Sequence, residues 1–343
     1  VEFTTGGRLE VRITAADTGK RVSVRRLSSG GTPGSRFTDT VGVLTSWDDG
    51  VLSITRKSGE TVLVDETTLV AGKVVPAAPA RRRGPAASFA ELAPVLARAW
   101  QPVESEPLGA WTLRAAAGFT RRANSALPLG DPGLPLPDAL DRVRDWYAAR
   151  GLPAYVQTAT GAEGTQEVLG AELERAGWER EVSAEVRIAA LAPIGDTEAD
   201  VSVVRLERGV DEAWLSRYQR SADPGEHVLK VLGSGPSVWF ASVTGEGAVP
   251  TAIGRLVVDG RWAGFMAVEV DPARRRSGLA TAVMAALARR ALDEGASAAW
   301  LQVESDNKGA RALYDGLGFA THHNYHHFRA PSGAGTGTGP DPG

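Results

Sequence analysis

The residues best placed to do chemistry lie between a strand-like run and a helix. Arg261-Trp262-Ala263-Gly264-Phe265-Met266-Ala267-Val268-Glu269-Val270 reads as a strand, and Asp271-Pro272 ends it. Ala273-Arg274-Arg275-Arg276-Ser277-Gly278-Leu279-Ala280 follows. Leu279, Val283 and Leu287 recur every fourth position, which predicts a helix starting near Gly278. A strand, a glycine-containing turn and a helix N-terminus in that order form an anion site. The first-turn N–H groups have no intrahelical partner, the helix dipole favours negative charge, and glycine lets a phosphate approach the backbone. Arg274, Arg275 and Arg276 add positive charge. A diphosphate carried by a cofactor suits this loop better than a single phosphate. An exposed, arginine-rich turn ahead of an amphipathic helix has the same local pattern, and the loop alone does not separate the two.

The residues downstream do. Arg275-x-x-Gly278-x-Ala280 is followed, after the strand Ala299-Trp300-Leu301-Gln302-Val303, by Asn307-x-x-Ala310-x-x-Leu313-Tyr314-x-x-Leu317-Gly318-Phe319. The first stretch resembles the coenzyme A signature of the GNAT acetyltransferase superfamily, and the second resembles that family's closing motif. Arg276 stands where many members have glycine. The resemblance implies the mixed α/β (α+β) GNAT acyl-CoA N-acyltransferase fold. It also implies that backbone groups of Val268 and Val270 pair with the pantetheine arm of acetyl-CoA. Arg275, Arg276, Ser277, Gly278, Leu279 and Ala280 would hold the pyrophosphate. Asn307, beside Ala310, would cap the last helix or touch the pantetheine arm. The strands ending at Val270 and starting near Ala298 would splay apart to admit the co-substrate. A neutral amine would then attack the thioester carbonyl directly. Tyr314, by its motif position, is implied as general acid for the departing sulfur. A thiol of pKa ~8.5 leaves readily, so the help required is modest. Glu269 and Glu304 are the carboxylates placed to take the ammonium proton, directly or through water, although each also reads as an ordinary surface carboxylate.

A repeated framework positions these stretches. The middle of the chain contains Asp131-Pro132, an amphipathic helix over residues 138–150, a short strand, a second helix and Ala176-Gly177-Trp178. The last third contains Asp271-Pro272, a helix, a strand, a helix and Leu317-Gly318-Phe319. Each ends in a strand-like stretch, residues 184–188 and 325–329. Two tandem copies of one fold explain this pattern, with coincidence as the alternative. After Asp131-Pro132, however, the chain runs Gly133-Leu134-Pro135-Leu136-Pro137-Asp138. The arginines are gone, the two prolines carry no N–H, and Asp138 is expected to cap the helix and repel a phosphate. The first copy is therefore expected to be degenerate, to bind no nucleotide there and to shape the acceptor pocket. Its Leu140, Val143 and Tyr147 share one helix face, so packing accounts for them.

Ahead of the repeat, Arg21-Val22-Ser23-Val24-Arg25, Thr40-Val41-Gly42-Val43-Leu44 and Val51-Leu52-Ser53-Ile54 alternate polar and apolar, and Thr61-Val62-Leu63-Val64 is a continuous apolar run. Asp48-Asp49-Gly50 and Ser58-Gly59 are turn signals. Short strands with tight turns predict a small all-β unit that resembles an SH3-like barrel. Its basic residues Arg21, Arg25, Arg26, Arg56 and Lys57 are offset by Asp48, Asp49, Glu60, Asp65 and Glu66. A protein partner for this barrel is an open reading. Ser88-Phe89-Ala90-Glu91 has the form of a capping box for a helix reaching about Trp100. The expected division is a barrel over 1–76, a Pro/Ala/Arg linker over 77–87, a degenerate copy over 88–195, a catalytic copy over 196–330 and a disordered tail over 331–343.

Composition sets the outer bounds. The chain has 343 residues, 43% hydrophobic and 23% charged, which suits two or three globular domains. A formal net charge of −3 supplies no bulk field for nucleic acid or an anionic membrane. With no cysteine, disulfides, thiolate metal sites and a cysteine nucleophile are excluded. No apolar run approaches the ~20 residues of a membrane span, and the start lacks a signal-peptide pattern, so the cytoplasm is expected. Four of the five histidines fall within His322-His323-Asn324-Tyr325-His326-His327. On a strand they split between two faces without carboxylates at useful spacing, so no metal is expected, and the strand is expected to flank the acceptor site. The three-part layout resembles actinobacterial proteins described as histone-acetyltransferase-like, which implies a protein lysine as acceptor. A tandem layout also occurs in enzymes that acetylate the amine of a small thiol, which implies a metabolite. A protein that binds acetyl-CoA as a regulatory input, without turnover, is the reading from another class.

Overall fold

The computed structural model describes residues 10–28, 37–76, 84–218, 225–245 and 247–331. The first strands are β1 (Arg21–Leu27), β2 (Phe37–Asp48), β3 (Val51–Thr55), β4 (Thr61–Asp65) and β5 (Leu69–Val74). They form an antiparallel sheet ordered β4-β3-β2-β1-β5. Val22 and Val24, like Leu52 and Ile54, are alternate residues, so the pleat sends each pair into one core with Leu44 and Val64. At the Asp48-Asp49-Gly50 turn, Asp49 and Gly50 have φ of +49° and +76°, the sign that a tight hairpin between right-twisted strands requires. Residues 77–83 and 332–343, where most of the expected linker and tail fall, lie outside the described residues.

Next comes α1 (Phe89–Arg98), capped by Ser88, whose Oγ accepts from the Glu91 N–H at 3.1 Å. The Glu91 carboxylate also accepts from Arg261 at 2.6 Å, tying α1 to the last third of the chain. The middle segment continues with β6 (Glu104–Leu108), β7 (Trp111–Ala115), β8 (Leu127–Pro128), α2 (Leu136–Ala148), β9 (Tyr155–Thr160), α3 (Glu167–Arg175), β10 (Glu179–Ala190) and the short α4 (Ala192–Gly195). The last segment has β11 (Val204–Glu207), α5 (Glu212–Arg217), α6 (Glu226–Leu232), β12 (Ser237–Val243), β13 (Ala252–Asp259), β14 (Trp262–Val270), α7 (Leu279–Asp293), β15 (Ala298–Glu304), α8 (Lys308–Gly316) and β16 (Ala320–Arg329).

The two repeats share one eight-stranded sheet, ordered β11-β12-β13-β14-β15-β10-β16-β9, while β6-β7-β8 form a small sheet of their own. β10, the last strand of the first repeat, pairs with β15 of the second. β16, the last strand of the second, pairs with β9 of the first. Each repeat's final strand therefore completes the other's part of the sheet. Between them, Ala184 pairs with Tyr325, flanked by Ser183 with His326 and Glu185 with Asn324. Ala184 and Tyr325 stand 141 residues apart (325 − 184), the interval that also separates Gly177 from Gly318. Equivalent residues thus face each other across a local twofold axis. The same interval links Arg114 on β7 to Arg255 on β13, both buried. Burial pushes the two guanidinium groups down to about 10 and about 9. Arg255 donates to the carbonyls of Leu232, Ala99 and Ser234 at 2.6–3.0 Å, satisfying the C-terminal ends of α6 and α1.

On one face of the sheet α1, α5 and α6 pack over a core spanning both repeats, including Leu96, Trp214, Val231, Ala184 and Tyr325. On the other face α7 covers Leu256, Phe265 and Leu301. α2 and α3 bury Leu140, Val143, Tyr147 and Leu173 with Trp178 and Phe328. The exchange corrects the expectation for the histidines. β16 is an interior strand, and His323, His326 and His327 are buried in the seam between the repeats rather than flanking an acceptor site. His326 bonds to Ser183 at 2.8 Å and Thr160 at 3.0 Å. The β3–β4 turn docks on this seam: the Lys57 carbonyl accepts from Thr160 and Asn324, and Arg180 donates to the Gly59 carbonyl at 2.7 Å.

Candidate active site

The candidate site begins where β14 leaves β15. The two strands pair in parallel from Trp262/Ala298 to Phe265/Leu301 and pair no further. A bulge in β14 coincides with this parting. Ile253 pairs with Glu269 and Arg255 with Met266, so Ala267 and Val268 together oppose Gly254, and Ala267 takes φ +51°. Beyond the bulge, Val268 and Val270 pack toward α7, in the cluster that also borders Leu279, Ala310 and Tyr314. The sequence-derived residues Val268, Val270, Leu279, Ala310 and Tyr314 are thus brought together around one core.

The basic loop follows. The Asp271 carboxylate accepts from the Ala273 N–H at 2.9 Å and from Arg217 at 2.7 Å. The Ala273 amide first, then Arg217, holds this carboxyl below its usual range. Residues 272–278 are exposed, including Arg274, Arg275, Arg276 and Ser277. Gly278 is the N-cap of α7 with φ +82°, and a Cβ there would meet nothing within 4 Å. Only the backbone conformation therefore demands glycine. The first turn of α7 carries no acidic residue, and its first backbone bond runs from the Ala282 N–H to the Gly278 carbonyl. The N–H groups of Leu279, Ala280 and Thr281 are left for a ligand. A cleft of about 570 Å³ opens here, lined by Ser277, Gly278, Leu279 and Thr281 and, on the facing segment, by Glu198 and Asp200. Its size suits a cofactor-sized ligand, and the helix start fits an anionic group. With two carboxylates across the cleft, the hold on an anion must come from the loop itself.

The matching position in the first repeat is built differently. α2 has Pro135 as N-cap, with no side-chain capping bond, and Pro137 in its first turn. Asp138 lies in that turn and is not the cap, which corrects the capping role expected for it; proline already occupies the cap position. Its negative charge at the helix start remains.

Tyr314, on α8, is half-buried and meets Phe319 edge-on at 5.8 Å. Asn307 caps α8, its Oδ1 accepting from the Ala310 N–H at 3.1 Å. Leu301 and Val303 face the α7 side, so the pleat turns Glu304 to the opposite face, as it does Glu269 between Val268 and Val270. Both carboxylates therefore lie on the α5–α6 face, and Tyr314 lies on the α7–α8 face. Glu304 is exposed and Glu269 half-buried.

Sequence reasoning missed the support of α8. Arg187, on β10 of the first repeat, donates to the carbonyls of Arg311 and Phe319 at 3.2 Å and to the Asp315 carboxylate. Its neighbour Glu185 binds Arg311 at 2.9 Å and Thr321 at 3.0 Å. Both are buried, and charged residues alternating on a strand facing the core are the signal that pointed to them. Among the described residues, no three His, Asp or Glu side chains converge as a metal-holding group, and no helix is long and apolar enough to cross a membrane.

With this geometry in hand, comparisons with known proteins place the chain. The family model described as "Probable histone acetyltransferase Rv0428c C-terminal" matches residues 88–328. The Mycobacterium tuberculosis protein named probable histone acetyltransferase Rv0428c is 28% identical over 316 residues, covering 92% of this chain and 96% of its own length. The solved structure of a GCN5-related N-acetyltransferase from Kribbella flavida is similar with a TM-score of 0.54 at 19% identity, over 72% of this chain and 98% of that one. A tandem GNAT protein from the clavulanic acid biosynthesis pathway gives a TM-score of 0.48 at 13% identity, over 61% of this chain and 76% of that one. The chain belongs to the Rv0428c C-terminal family of probable histone acetyltransferases and has the GNAT fold.

Proposed function

We propose that the chain transfers an acetyl group from acetyl-CoA to a primary amine by direct attack, and that the amine is a protein lysine. The observation that carries the reading is the left-handed Gly278 cap, with open amides and three exposed arginines beside it, in the loop that follows β14 after that strand parts from β15. In this reading the amides of residues 277–280, with Arg275 and Arg276, hold the diphosphate. The unpaired edges of Val268 and Val270 align the pantetheine arm, and Asn307 and Ala310 border it. The amine enters from the α5–α6 face, where Glu269 or Glu304 receives its proton. Its nitrogen bonds to the thioester carbon, the carbon–sulfur bond breaks, and Tyr314 protonates the sulfur on the opposite face. Placement of the base and the acid on opposite sides of the sheet supports this division of labour. The name of the mycobacterial relative, a probable histone acetyltransferase, supports a protein acceptor.

The same reading divides the chain into a barrel to residue 76, a linker over 77–87, a non-catalytic repeat over 88–195, the catalytic repeat over 196–330 and a tail. The test is release of free thiol from acetyl-CoA in the presence of lysine-containing peptides or pooled small amines. Thiol release with peptides and peptide mass gain of one acetyl group are expected, and Tyr314→Phe should lower kcat by about 10–100-fold with acetyl-CoA affinity kept. Binding of acetyl-CoA without thiol release on any amine would replace the enzyme by a sensor. Release with small amines alone would move the acceptor to a metabolite.

A further inference from the structure

A second polar cavity lies on the seam between the repeats, away from the α7 cleft. It is about 30 Å³, partly open, and lies between α1 and the strands β9, β16, β10 and β15, with Arg114 of β7 and Arg122 at its wall. That volume holds one or two water-sized guests. Two of its walls are guanidinium groups. Arg114 is 4% exposed and donates to the Ser125 carbonyl (2.9 Å), the Ser125 hydroxyl (2.8 Å) and Gln157 Oε1 (3.0 Å). Arg122 donates twice to the Tyr325 hydroxyl, at 3.0 and 2.6 Å, with its guanidinium over the rings of Trp100 and Tyr325.

Every one of those partners is neutral, and the residues lining the cavity include no aspartate or glutamate. Arg114 is therefore buried, and Arg122 half-buried beside it, without a countercharge among the described residues, which is costly for the cation in the low-dielectric interior. Their field reaches His327: after burial itself, Arg122 and Arg114 are the next causes holding that imidazole neutral. The cavity also has a donor with nothing to donate to. Trp100 lines it, is 5% exposed, and its indole N–H has no hydrogen-bond partner, whereas the unpartnered Thr158 hydroxyl sits toward Gly170 of α3 on the other face of the sheet. Gln302, also in the lining, has an unpartnered Oε1, and rotation of its amide would present an N–H instead.

We infer that this cavity is a binding site for one small monovalent anion of about chloride size, held by Arg114, Arg122 and the Trp100 N–H. The anion neutralises the seam where the two repeats exchange strands, so its binding couples to the stability of the whole sheet. This inference is independent of the acetyl-transfer reading. A water molecule would satisfy the orphan donor but leave the charges uncompensated, and that difference is what the experiment reads.

The full chain is melted in sodium chloride, sodium bromide and sodium gluconate series at constant ionic strength. Chloride and bromide are expected to raise Tm saturably, by about 2–4 °C at ten times Kd, and gluconate, too large to enter, is not. Crystals grown in bromide are expected to show an anomalous peak in the cavity. Arg122→Gln, and separately Trp100→Phe, should abolish or weaken the halide response while the circular-dichroism spectrum is kept. An equal response to all three salts, or a cavity holding water without anomalous signal in bromide, overturns the inference. If Arg122→Gln fails to fold, Trp100→Phe and the bromide peak decide the matter.

Discussion

Mild acid should destabilise this protein through the imidazoles of β16. Burial first, and then Arg180, pushes the pKa of His326 down to about 3, and burial holds His323 and His327 well below their usual value. Both ring nitrogens of His327 lack a partner, so an added proton there would find no acceptor. In the unfolded chain each imidazole takes up a proton near pH 6.5. Below that pH the unfolded state binds more protons than the folded one, so stability present above pH 6.5 is lost as the pH falls toward the folded-state values. With a folded value of about 3, the His326 contribution changes by about 2 kcal/mol between pH 7.5 and 5.0, and His323 and His327 add in the same direction, to at most roughly 6 kcal/mol for the three. That is a large part of the ~5–15 kcal/mol typical of a domain. At roughly 2 °C per kcal/mol for a chain of this size, Tm should drop on the order of 10 °C. Scanning calorimetry at fixed ionic strength across this window measures it, and His326→Gln should reduce the pH slope by about one third even if it lowers Tm overall. A decline of less than about 3 °C, or an NMR titration showing His326 or His327 protonating near pH 6.5 in the folded chain, would refute the reasoning.

Other expectations follow from the same structure. Gly278→Val forces a branched residue into a left-handed cap, costing about 1–2 kcal/mol, and should weaken acetyl-CoA binding by roughly tenfold or more in calorimetric titration; unchanged affinity would show that this cap does not form the site. Arg187→Met removes the buried fork that holds α8 and should lower stability by about 2–4 kcal/mol and kcat more than acetyl-CoA affinity; a variant with wild-type kcat would free α8 from that support. Residues 84–195 and 196–331 expressed separately should each be poorly folded, because β10 and β16 are paired across the repeats, and mixing them should restore the circular-dichroism spectrum. Independent cooperative melting of either half would contradict the exchange.

The strand–turn–helix geometry of the basic loop was legible in the sequence because its signals are local. A strand end, a glycine and a helix period need no knowledge of the rest of the chain. The repeat was legible for the same reason, through Asp-Pro and Gly-aromatic landmarks at matched spacing. The exchange of β10 and β16 was not, because alternation tells which residues of a strand share a face but not which strand lies beside it. That one missing fact misplaced the histidines, since His326 and His327 face buried neighbours only once β9 and β10 flank β16. It also hid Arg187, whose target helix lies in the other repeat. Asp138 was read as a cap from its residue type, but Pro135 had already started the helix and left Asp138 inside its first turn.

The account rests on α7 holding the diphosphate, and a crystal structure of the full chain with coenzyme A tests it most directly. It should show one molecule per chain, its diphosphate on the amides of residues 277–280 with the pantetheine arm between β14 and β15. A diphosphate resting at Pro135 and Pro137 of α2, or on neither helix start, would contradict it.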